Sequence, residues 1–194
     1  MAETDKSKFP SVEAVESELK RIKYQKRYRS VLTSTISVLV VVAAVAALIS
    51  LLWMPILQIY GSSMTPTIAE GEVVVSIKGS SFETGDVIAF YYGNKILVKR
   101  CIAGPGDWVD IADDGTVYVN GVRLEEPYIS EKAYGDVNIE FPYQVPDERY
   151  FVLGDHRETS IDSRNTAVGN VAVDQVVGKV LFRIWPLNRL GFIN

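Results

Sequence analysis

Val87-Ile88-Ala89-Phe90-Tyr91-Tyr92 and Ile96-Leu97-Val98-Lys99-Arg100-Cys101-Ile102 are short runs rich in β-branched and aromatic residues. Such residues fit a pleated, half-buried surface, so both runs read as strands. The same pattern recurs at 73–77, 108–111, 117–119, 150–153 and 176–185, with Gly, Pro and Asp between the runs. Asp114-Gly115 and Asn120-Gly121 are type I′ hairpin signals, and a turn is expected around 63–69. Residues 58–194 are therefore expected to form a mainly β, antiparallel domain with a small insertion at about 108–150. Its 137 residues can bury a core without disulfides. Cys101, the single cysteine, lies inside an apolar run and reads as a packing residue.

Upstream the pattern changes. Residues 31–57 carry no charge, and most of 36–56 is Val, Ala, Leu and Ile. A helix crosses a bilayer core with roughly 20 apolar residues, so a transmembrane helix is expected at 31–57. Ala44-Val45-Ala46 resembles a signal-peptide cleavage site, but it lies in the middle of the run rather than after it. The expected span is therefore an uncleaved anchor in a lipid bilayer. Lys20, Arg21, Lys23, Lys26, Arg27 and Arg29 precede it, and no Lys or Arg follows until Lys78. The positive-inside rule then puts residues 1–30 in the cytoplasm and the β domain outside the plasma membrane. Trp53 and Tyr60 fall where interfacial aromatics collect. Val12, Val15, Leu19 and Ile22 have helical spacing, which predicts a short juxtamembrane helix.

The charge distribution limits the chemistry. Residues 1–30 carry a net +3 and residues 58–194 a net -7, for a total of -4. An acidic main domain argues against a nucleic-acid partner. One cysteine and one histidine leave too few ligands for a Cys-based zinc cage or a His-rich metal site, so neither metal nor cofactor is expected.

Three segments combine reactive side chains with bent backbone. Gly61-Ser62-Ser63-Met64-Thr65-Pro66-Thr67 can hold a serine exposed on a turn, although the serines alone read more readily as a polar linker leaving the membrane. In the second, strand alternation puts Lys99 on the face of Leu97 and Cys101, and Arg100 on that of Val98 and Ile102. One of the two must then meet a partly buried face. A desolvated lysine is a usable general base near neutral pH, whereas arginine stays charged. Most lysines are exposed, so the pattern alone assigns Lys99 to a solvated edge, with burial as the alternative. In the third, Gly154-Asp155-His156-Arg157-Glu158-Thr159-Ser160-Ile161-Asp162-Ser163-Arg164, Asp162 and Arg164 can form a bidentate pair that pins the loop. A Ser63-His156-Asp155 triad is disfavoured because adjacent residues on an extended segment point apart. Gly85-Asp86-Val87 reads as a turn entering a strand.

The order of these elements closely resembles bacterial type I signal peptidase. It comprises the anchor, Ser63-Met64-x-Pro66-Thr67, Gly85-Asp86-Val87, Lys99-Arg100 with Gly104-Pro105-Gly106-Asp107, then Gly154-Asp155-x-Arg157-x-x-Ser160-x-Asp162-Ser163-Arg164. The likeness extends to Trp185-Pro186-x-x-Arg189. It implies coiled antiparallel sheets and a compact, Gram-positive-like membrane endopeptidase that removes signal peptides after Ala-x-Ala-type sites. Ser63 is then the nucleophile, Lys99 the general base and Ser160 the residue that orients the lysine. Asp162 and Arg164 shape the loop, the Ser63 N–H serves the oxyanion, and Met64, Gly61 and Val98 contact substrate. Implied partners are signal-peptide-bearing preproteins, the bilayer and the secretion translocon. Gly61 stands where some members carry a serine that donates to the oxyanion, and His156 where asparagine is usual. A repressor-type Ser/Lys autopeptidase would carry a DNA-binding domain rather than an anchor. A non-catalytic surface-assembly relative acting as a chaperone would be expected to lack Ser63 or Lys99.

Overall fold

The structure, a computed structural model, describes residues 10–193 and comprises two units divided between Ile49 and Ser50. The first is the greater part of one helix, α1 (Val12–Trp53). Ser11 caps it, accepting from the Ala14 N–H at 3.3 Å. The juxtamembrane stretch is continuous with the apolar run rather than a separate short helix, because no Gly or Pro interrupts 12–53. At about 1.5 Å per residue the helix is roughly 63 Å long, twice a hydrocarbon core of about 30 Å. Thr33 and Thr35 hydroxyls donate back to the Arg29 and Val31 carbonyls, so they add no unpaired donor to the apolar segment. Pro55 disfavours helical backbone at Met54, and α1 stops at Trp53. Ile56 and Leu57, expected in the span, instead belong to a strand.

The sheets of the second unit are antiparallel throughout. Its strands are β1 (Ile56–Gln58), β2 (Val73–Lys78), β3 (Val87–Tyr92), β4 (Lys95–Ala103), β5 (Trp108–Ile111) and β6 (Val117–Val119). They continue with β7 (Val122–Arg123), β8 (Tyr143–Gln144), β9 (Arg149–Leu153), β10 (Val171–Ala172), β11 (Val176–Trp185) and β12 (Gly191–Phe192). The larger sheet runs β1-β2-β11-β3-β4-β9-β10, with β12 on β11; the smaller runs β7-β6-β5-β8. The seven expected strands are all present. Very short ones such as β7 and β12 were not anticipated, because two residues carry no periodicity. Asn120 and Gly121 both have positive φ, as a type I′ turn between β6 and β7 requires. Asp114-Gly115 is not a two-residue turn: Ile111 pairs with Val117, which leaves five residues in that connection.

Three apolar clusters hold the unit together. Ile59, Met64 and Ile68 join Val74, Val87, Ala89, Val177 and Val180 in the first, tying the 63–69 turn to the large sheet. Phe151 and Leu153 of β9 pack with Val109, Ile111 and Val117, fastening the small sheet to the large one. Cys101 lies in the third with Ile88, Phe90 and Val152. Burial pushes its thiol up to about 12, which leaves it a packing residue.

Candidate active site

Ser63 sits on the turn that leaves β1, between the exposed Gly61-Ser62 and the buried Met64. Met64 and Ile68 enter the core, and the Ile68 N–H donates to the Met64 carbonyl at 2.8 Å, so the turn is anchored while Ser63 stays half-exposed. The Ser63 N–H has no acceptor among the described residues. The Ser63 carbonyl accepts from the His156 N–H at 3.0 Å, joining this turn to the 154–164 loop.

Lys99 is 4 % exposed, which overturns the solvated-edge expectation. β4 does not alternate: Lys95 and Ile96 are exposed, Leu97 and Val98 half-buried, and every residue from Lys99 to Ala103 is buried. The 154–164 loop reaches both basic residues. Lys99 Nζ donates to Ser160 Oγ at 2.9 Å, while Arg100 donates to both oxygens of Asp155, at 2.9 and 2.7 Å. Loss of hydration around Lys99 lowers its amine from 10.5 to about 8, with Arg164 acting in the same direction and Asp162 and Asp155 opposing it.

Ser63, Met64, Val98 and Lys99 line one groove of about 700 Å³, together with Leu57, Ile59 and Leu97. Gly61 does not line it; it is exposed at φ +88°, where a serine Cβ has space but strained backbone. Ser63 Oγ is not hydrogen-bonded to Lys99, whose one side-chain hydrogen bond among the described residues goes to Ser160. Asp162 and Arg164 form the bidentate pair, at 2.8 and 2.9 Å, and Gly154 N–H donates to Asp162 Oδ2. His156 Nδ1 lies 3.3 Å from Thr65 Oγ1 and 3.0 Å from Thr159 Oγ1, while Asp155 is held by Arg100 and Thr67. Asp155 and His156 are thus committed to other partners.

Several supporting pairings had no sequence signal. Arg157 pairs with Glu126, 31 positions upstream, and Glu72 receives Arg183 at 2.7 Å and Arg189 at 2.5 Å. Arg183 and Arg189 also donate to the Thr67 and Pro66 carbonyls, so β11 and the residues after it hold the serine turn in addition to its core anchors. A pair distant in sequence leaves no mark in spacing.

The family described as Signal peptidase, peptidase S26, matches residues 32–185. This chain belongs to that family. Signal peptidase IB of Staphylococcus aureus (strain MRSA252) is 39 % identical over 155 residues, 69 % of this chain and 79 % of the relative. Signal peptidase I of Bacillus licheniformis is 36 % identical over 169 residues, 78 % and 88 % of the two chains. The crystal structure of a signal peptidase I from Enterococcus faecalis V583 aligns with a TM-score of 0.44 at 33 % identity, covering 52 % of this chain and 97 % of that one. As a member of the signal peptidase family the chain is a serine endopeptidase, a hydrolase.

Proposed function

We propose that this chain is a membrane-anchored Ser/Lys endopeptidase that cuts signal peptides from exported preproteins after small residues of the Ala-x-Ala kind. What carries the reading is a buried amine, lowered to about 8, on the same groove as a half-exposed serine. Neutral Lys99 takes the proton from Ser63 Oγ as that oxygen attacks the scissile carbonyl. Entry of substrate into the groove closes the remaining distance between the two side chains, since catalytic hydrogen bonds often tighten only in the complex. The Ser63 N–H donates to the oxyanion as it forms, a contribution worth a few kcal/mol in hydrolases. Protonated Lys99 then gives its proton to the departing amine, and water, deprotonated by the same lysine, hydrolyses the acyl-enzyme. Ser160 holds the amine in place, Asp162 and Arg164 hold the loop that carries Ser160, and Met64 and Val98 contact the residues before the cut.

The substrate docks in extended form beside β4, and its main chain supplies much of the affinity. Residues 1–30 are cytoplasmic, 31–57 contain the anchor, and 58–194 form the extracytoplasmic peptidase with the 108–150 insertion. This arrangement puts Ser63 close in sequence to the outer interface, where a preprotein emerging from the translocon presents its cleavage site. Purified full chain in detergent, given a synthetic preprotein, should release the mature part after a small residue, read by mass. Cleavage at another residue class would overturn the specificity. Protease added to spheroplasts should digest the large domain and spare an N-terminal tag; the reverse pattern would overturn the orientation.

A further inference from the structure

We propose that Glu126 and Tyr128, in the insertion just after β7, are positioning residues for the reaction of Ser63 and Lys99. The inference rests on that Ser/Lys reading and extends it into the insertion. Glu126 follows β7, and its side chain is only 3 % exposed. Its oxygens receive both terminal nitrogens of Arg157, whose Nε donates to the Gly154 carbonyl at 3.0 Å. Arg157 is itself buried and spans the gap between the insertion and the first residue of the catalytic loop.

Gly154 is the point where this grip matters. It has no room for a side chain: a Cβ there would overlap Ser160 Oγ and the Ser63 carbonyl oxygen. The peptide held by Arg157 is therefore packed directly against the hydroxyl that orients Lys99 and against the backbone of the nucleophile. A shift of Gly154 has to move one or the other.

Tyr128 secures the same loop at the next residue. Its ring lies 3.7 Å beneath the Arg100 guanidinium, which binds Asp155 and the Gly85 carbonyl. Its hydroxyl donates to Glu126 Oε1 at 3.2 Å, so the two positions act as one brace. The insertion supports the loop elsewhere too: the Ala133 and Tyr134 carbonyls accept from Arg164, at 3.3 and 2.7 Å. Proton transfer between Ser63 and Lys99 depends on placement within a fraction of an ångström, and a misplacement of about 1 Å from a remote change costs on the order of 100-fold.

The test uses the full chain in detergent micelles with the synthetic preprotein, comparing Glu126→Gln, Glu126→Asp and Tyr128→Leu. Each is assayed well below its unfolding temperature. Glu126→Gln is expected to lower kcat by about 10- to 100-fold with KM within about three-fold, because the groove itself is untouched. Glu126→Asp keeps the charge and shortens the reach; it should fold and lose less. Glu125→Gln, at a side chain 84 % exposed, should match the parent. If removing the buried charge unfolds Glu126→Gln, the aspartate variant and Tyr128→Leu decide. Parental kcat in both folded variants, or a loss confined to KM, would overturn the inference. Parental activity in Ser63→Ala would instead overturn the Ser/Lys reading on which it stands.

Discussion

Lys99 and Arg100 are consecutive on β4 and both are withdrawn from water, yet their surroundings are opposite. Arg100 meets a bidentate carboxylate, a carbonyl and an aromatic ring. Lys99 meets one neutral hydroxyl. A buried guanidinium that is fully paired stays charged and serves as scaffold, as Arg157 and Arg164 also do beside it. A buried amine without a carboxylate partner is pushed towards its neutral form and becomes a base. On the proposed reading, the general base is the buried basic side chain that has no carboxylate among its hydrogen-bond partners.

The strongest way to break this contrast is to remove the chemistry. Ser63→Ala and Lys99→Ala should each abolish cleavage, by about a thousand-fold or more, and the double variant should be little worse, because the two groups act as one unit. Additive losses in kcat measured on folded protein would mean that they work separately.

The scaffold side should break in stability rather than rate alone. Asp155→Ala leaves Arg100 buried without its carboxylate and should cost about 3–5 kcal/mol, measured by denaturant unfolding. Loss of under about 1 kcal/mol would place Arg100 among surface-like pairs.

Lys99→Met should move stability the other way. The folded amine titrates near 8 and the unfolded one near 10.5, so between these values the unfolded state binds more protons. Stability of the parent therefore rises as pH rises from about 8 to about 10.5, and below 8 the full penalty of about 3 kcal/mol applies. The methionine variant avoids that penalty but leaves Ser160 short of a partner, worth about 1 kcal/mol. It should be more stable than the parent at pH 7 by about 1–2 kcal/mol, with the gain vanishing at high pH. In the parent, kcat/KM should rise with pH through one ionisation near 8. A variant less stable than the parent at pH 7 would show that the amine is compensated after all.

The smallest effect is expected at His156, whose ring contacts only threonine hydroxyls among the described hydrogen bonds. His156→Ala should keep kcat/KM within about three-fold and leave the ionisation near 8 in place. A parental limb centred near 6.5 that disappears in this variant would return the base to histidine.

Elements with a local signature were legible from the residues alone. Seven strands follow from runs of β-branched and aromatic residues, the apolar helix from an uncharged stretch, and the 120–121 turn from a dipeptide that tolerates positive φ. The Asp162–Arg164 contact was legible because its partners are two residues apart. That Lys99 is buried came from the tertiary fold, since alternation describes a strand with one wet face, whereas β4 is exposed at its start and covered on both faces from Lys99 onward. The fold also decided which acid meets which base. Arg100 with Asp155, Arg157 with Glu126, and Glu72 with Arg183 and Arg189 are each separated by 31 residues or more. Local propensity acts over a few residues of chain, whereas desolvation and ion pairing depend on what the completed fold brings within about 3–4 Å.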